Sequence, residues 1–138
     1  MIYAIVISNW HPARLNELLN ACKWKRLRIK KDDKELVAAY GRDVPKATGK
    51  RRVSIMLTLA PRQRAGDPDA YWKSLLDALV KAKLLLDDNR QHCELGTVEF
   101  ERGKKRETRI TLEDIGHTPH DDQVDAIGFA IRQLKRPL

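Results

Sequence analysis

Two groups of aspartates in this chain have a spacing compatible with chemistry. The first is Asp67-Pro68-Asp69, with Lys73 and then Asp77 following at intervals of four; the second is Asp87-Asp88-Asn89. Asp67 suits a helix N-cap, Pro68 the first helical position, and Asp69 the positive end of the helix dipole. At about 100° per residue, Trp72, Leu75, Leu76, Leu79 and Val80 form one apolar stripe, and Asp69, Lys73 and Asp77 lie along its edge. If the chain after Leu86 leads back beside this helix, Asp88 joins Asp67 and Asp69. Three converging carboxylates repel one another unless a cation sits among them. Hard oxygen ligands select Mg2+ or Mn2+. Such an ion binds a phosphate oxygen and acidifies a bound water, while Lys73 can neutralise charge building on the phosphate. A plainer account uses the same residues as capping acids, an ion-pair ladder Asp69–Lys73–Asp77, and a turn at 87–89. Spacing alone leaves both open.

The elements that must carry these groups follow from periodicity. Residues 2–8 are β-branched and apolar and predict a strand. Leu15, Leu18 and Leu19 predict a helix within 12–22. The stretch 23–40 is ambiguous: Leu27 and Ile29 alternate with charges as in a strand, whereas Leu36, Val37 and Tyr40 are helically spaced and Gly41 is a plausible stop. Strict alternation over 51–60 predicts a strand, and 61–66 is a basic connection. A helix is expected over 67–83, then strands at 94–101 and 106–113 joined as a hairpin around Gly103. Val124, Ile127, Ile131 and Leu134 predict a final helix at 121–135. The expectation is one α+β domain over 1–138: a small mixed sheet packed against helices, with a helix added at the C-terminus.

Composition fits that scheme. The 138 residues suit a single domain, and 42% of them are apolar, enough to build a core. Lys and Arg number 27 against 19 Asp and Glu, a net +8, which favours a polyanionic partner, most commonly nucleic acid. Cys22 and Cys93 match neither a metal-ligand spacing nor a disulfide framework, and reduced thiols fit a cytoplasmic protein. The apolar N-terminus is too short for a membrane span and has no basic region before it, so no membrane association is expected. Lys25 and Arg28 in the run 23–31, and Lys104 and Lys105 beside Arg106 at the hairpin tip, are candidate phosphate contacts; a charge run can equally be a solvated face. Trp10 and Trp24 offer stacking surfaces, whereas Trp72 falls on the apolar stripe. His117-x-x-His120-Asp121-Asp122, with Asp125 beyond, reads as a polar cap leading into a helix in preference to a second metal site.

The order Asp-x-Asp, Lys four residues on, Leu76-Asp77-Ala78-Leu79, then Leu85-Leu86-Asp87-Asp88 resembles the RusA family of Holliday-junction resolvases. The likeness is tight over residues 66–91 and looser from Ile2 to about Leu112. It implies a small α+β homodimer that binds four-way DNA junctions and makes paired nicks with Mg2+. On that likeness Asp67, Asp69 and Asp88 match the catalytic, metal-holding acids and Lys73 the essential lysine, with Asp77 and Asp87 as supporting neighbours. Ala70 stands where family members often carry Asn. Gly66 stands where a basic residue is common, a role Arg62 or Arg64 can take. The rival expectation is a nucleic-acid-binding module without catalysis, its acids purely structural.

Overall fold

The computed structural model describes residues 1–116; the helix expected at 121–135 and the His117–Asp125 cluster lie outside them. In chain order the elements are β1 (Ile2–Ser8), α1 (Leu15–Asn20), α2 (Lys23–Tyr40), β2 (Arg51–Leu59), α3 (Trp72–Lys81), β3 (Cys93–Arg102) and β4 (Glu107–Asp114), with a 3-10 turn, Pro68–Tyr71, leading into α3. The strands form one sheet in the order β1-β4-β2-β3. β2 and β3 are parallel, and the other neighbours antiparallel. This is the α+β class that the periodicity predicts.

Strand position follows burial. β2 buries every second side chain. Its Val53, Ile55 and Leu57 meet Ile5, Ile7, Ile110 and Leu112 on one face of the sheet, beneath Leu75 and Leu79 of α3 and the following Leu84 and Leu85. Each such side chain contributes roughly 1.5–3 kcal/mol by leaving water. On the opposite face Arg52 bridges to Glu94 on β3 and Glu113 on β4, fastening three strands together.

The expected hairpin does not form. β3 and β4 are consecutive, but β2 lies between them and bonds to both. The connection 103–106 therefore crosses two strand spacings, roughly 10 Å, within reach of four extended residues at about 3.3 Å each. The Gly103 N–H donates to the Leu59 carbonyl at 2.9 Å, sealing the end of β2. A bulge also interrupts β3: Val53 is opposite Leu95, but Ile55 is opposite Val98. That extra residue moves the inward positions from odd to even numbers: Cys93 is buried before the bulge and Val98 and Phe100 pack on the core after it, while Leu95 is exposed. A Cβ at Gly96 would fall 2.9 Å from the Val53 carbonyl oxygen, so the close approach admits only glycine.

Residues 23–40 are helical throughout. Ile29, Asp33, Leu36 and Val37 turn inward at helical spacing, and the acid within that stripe is what blurred the pattern. Asp33 is 6% exposed and accepts from Trp10 Nε1 (3.0 Å), the Ala13 N–H (3.2 Å) and Ser74 Oγ (2.7 Å). A buried carboxylate so bonded is a tie among three segments. α1 is shorter than expected, and of its leucines only Leu18 is buried, with Leu15 and Leu19 exposed.

Candidate functional site

The expected helix at 67–83 divides into the 3-10 turn and α3. Asp67 caps the turn, its Oδ1 accepting from the Asp69 N–H at 3.1 Å, with Pro68 at the first position. Trp72, Leu75, Leu76 and Leu79 bury the inner face of α3. Lys73 and Asp77 remain on its outer edge as an ion pair at 3.6 Å, their side chains 58% and 29% exposed. After Lys81 the helix stops: Lys83 adopts φ 64, and Leu84 donates its N–H to the Leu79 carbonyl. Leu84 and Leu85 plug into the core, while Asp87 and Asp88 stay exposed. Asp87 accepts from the Asp88 N–H at 2.7 Å and from Asn89 Nδ2 at 3.3 Å.

The crossover fixes how far apart the two acidic groups lie. β2 and β3 are parallel, so α3 must carry the chain from the far end of β2 back to its start. Asp67 and Asp69 precede α3, and Asp87 and Asp88 follow it. Its ten residues rise about 15 Å. Asp67 lines a cleft with Arg14, Asn16 and Ala70. Asp88 instead shares one cleft with Lys34, Asp77, Lys81 and Asp87, and another with Lys50 and Cys93. Burial, with the nearby Asp88 charge second, pushes the Cys93 thiol up from its ordinary pKa.

Aspartate oxygens are the donors Mg2+ prefers, so the residue types suit the ion. Their placement within one chain does not. Among the described residues no three His, Cys, Asp or Glu side chains converge to hold a metal. Asp77 lines one cleft with Asp87 and Asp88 without closing on them, Asp67 sits beside Asp69, and α3 separates the two groups. Asp67, Asp69, Asp87 and Asp88 take no part in salt bridges among the described residues, in a chain with a surplus of eight positive charges. Among the described residues, no cationic side chain therefore neutralises them.

The candidate phosphate-binding residues fall in two places. Arg62 and Arg64 are exposed in the loop before Asp67. Arg102 Nη1 donates to the carbonyls of Ala60 and Gln63, tying that loop to the end of β3, and Lys104 and Lys105 follow. These basic groups therefore share the Asp67 end of the sheet. Lys25 and Arg28 are exposed on α2. The periodicity missed the bracing of the acid-bearing loop. His11 Nε2 lies 2.8 Å from the Thr58 carbonyl oxygen, which places a hydrogen on Nε2 and leaves Nδ1 to accept from Gln63 Nε2 at 3.3 Å. Burial holds the His11 pKa below its ordinary value, against the raising effect of the Thr58 carbonyl and with Arg106 lowering it further. It also missed Lys34 and Lys81, which line the cleft of Asp77, Asp87 and Asp88 because α2 and α3 lie side by side, Asp33 against Ser74.

Among the described residues no helix is long and apolar enough to cross a membrane. No family model matches the chain, and no curated protein matches it. Among solved structures, thiamine monophosphate kinase from Aquifex aeolicus is similar over 80% of this chain, at 12% identity and a TM-score of 0.41. The chain spans about a third of that protein's length (32%).

Proposed function

We propose that this protein is an endonuclease that hydrolyses phosphodiesters in branched DNA with Mg2+ or Mn2+, acting as a cytoplasmic homodimer that resolves four-way junctions by paired nicks. The observation that carries the reading is that Asp67, Asp69, Asp87 and Asp88, on a strongly basic chain, form no salt bridge among the described residues. Asp88 shares its clefts with Lys34, Lys81 and Lys50 yet pairs with none of them, which leaves its carboxylate open to another cation. The order of these residues, which resembles the RusA pattern, supports the same reading.

The side chains have distinct tasks in this proposal. Arg62, Arg64, Lys104 and Lys105 attract and hold DNA phosphates at the Asp67 end. Lys73 leaves its long contact with Asp77 to meet charge developing on the scissile phosphate, a motion its exposure permits. Asp67, Asp69 and Asp88 are the proposed metal-holding acids, and a divalent ion would supply an activated water there. Since α3 separates Asp67 and Asp69 from Asp88, one chain does not complete the set. In a dimer whose two-fold axis crosses α3, the start of one helix meets the end of the other. Two equivalent sites then suit a junction with matching strands.

The test is cleavage of a synthetic four-way junction with Mg2+ and with chelator. Cutting that needs the ion and is lost in Asp67→Asn or Asp88→Asn, with junction binding retained, supports the proposal. A second reading, a nucleic-acid-binding module without catalysis, draws on the missing three-acid cluster within one chain. Binding without cutting under every metal condition would select it.

A further inference from the structure

Along the outer face of α2 runs a groove of about 520 Å3, lined by Leu27, Lys30, Lys31, Lys34 and Ala38 and bordered by Lys81 of α3. Among the described residues, Glu35 is the one acid on its wall. Lys34 and Lys81 also line the cleft that holds Asp77, Asp87 and Asp88. Lysine groove and acidic cleft thus adjoin, sharing two side chains.

We infer that this groove binds a single strand of nucleic acid, with phosphates on Lys30, Lys31, Lys34 and Lys81 and a base stacked on Trp24. The inference takes its substrate class from the nuclease reading and rests on it. Charge selects the occupant first. Four lysines against one glutamate attract a polyanion, whereas a second copy of this chain would set the same lysines face to face. The floor selects further. Leu27 is 51% exposed, and with Ala38 it offers apolar surface to sugars and bases. Trp24 is 77% exposed and, at about 100° per residue, falls on the same side of α2 as Leu27, Lys31, Lys34 and Ala38. An open tryptophan beside a basic track is a stacking platform for unpaired bases. Duplex DNA keeps its base faces stacked internally and has little use for one; a strand freed at a branch point does.

The test is binding of a fluorescently labelled oligothymidine in chelator, so that cutting plays no part. Lys31→Glu with Lys34→Glu should weaken binding tenfold or more and flatten the dependence of log K on log salt by about one to two. Trp24→Ala should weaken it roughly tenfold, and Trp24→Phe should restore most of the loss. Lys31→Gln with Lys34→Gln removes the charges without adding acids and should fall between. Unchanged affinity in these variants overturns the inference. So does a dimer that becomes monomeric on Trp24→Ala while oligothymidine affinity holds, because a second copy then covers this face. A parent protein that cuts no junction, yet binds oligothymidine through these residues, counts against the nuclease reading and not against the groove.

Discussion

Ser74 donates its hydroxyl hydrogen to the buried carboxylate of Asp33 over 2.7 Å, joining the first turn of α3 to the middle of α2. Trp10 and Ala13 bond to the same carboxylate, so one side chain locates the segment before α1, α2 and the helix that carries the acids. Asp33→Ala leaves three donors in a dry site without acceptors. It should cost roughly 3 kcal/mol of unfolding free energy, and Ser74→Ala about 1 kcal/mol. Urea denaturation with unchanged m-values measures both. A cost for Asp33→Ala near the half kcal/mol of a surface change would show that packing alone holds α2 against α3.

Asp33 also marks where the sequence is hard to read. Strand β2 is plain from alternation because both faces of its pattern are unbroken. α3 is plain because its apolar stripe contains no polar interruption. In α2 the inward stripe includes a carboxylate, whose value depends on Trp10 and Ser74, residues 23 and 41 positions away. The hairpin expectation failed for a related reason. Turn residues report that the chain reverses between β3 and β4, but not that a third strand fills the space between them. Spacing offers the acids as candidates but not their separation, which follows from the parallel β2–β3 pairing, a long-range property that local spacing does not encode.

His11 makes the loop before Asp67 sensitive to acid. Burial holds its imidazole below the ordinary 6.5, so the unfolded chain takes up this proton first as pH falls. The group's contribution to stability is complete above about pH 6.5 and is lost as pH drops through the lower folded pKa. Protonation also removes the Nδ1 acceptor that Gln63 uses. Melting temperature should fall more steeply between about pH 7 and 5 for the parent protein than for His11→Ala. Parallel pH profiles for the two would exclude His11 as the source.

Arg62 carries a backbone cost that its side chain must justify. It sits at φ 67 in the turn closed by the Gln63 N–H on the Ala60 carbonyl at 3.0 Å, a position that glycine and asparagine fill with less strain. Arg62→Asn and Arg62→Gly should leave stability unchanged or raise it by up to about 1 kcal/mol. On the proposed function, the same variants should weaken four-way-junction binding severalfold through loss of a phosphate contact. Thermal melting and junction titration of the same samples check both halves. A fall in melting temperature with no change in affinity would assign Arg62 to the fold.

Asp67 and Asp88 stand on either side of α3, and this separation yields the most discriminating prediction. Asp67→Asn and Asp88→Asn should each abolish cutting alone while preserving junction binding, since each removes a negative charge near the phosphates. If each site draws Asp67 from one copy and Asp88 from the other, mixing the two inactive variants and allowing subunits to exchange produces a different outcome. A heterodimer then holds one site with both lesions and one with neither. Nicking of a single strand should return to the mixture, while paired nicking stays absent. Nicked and fully resolved products separate on a gel. A mixture as silent as its components, in samples shown to have exchanged subunits, would place each complete set of acids within one chain and require the segments flanking α3 to close around it.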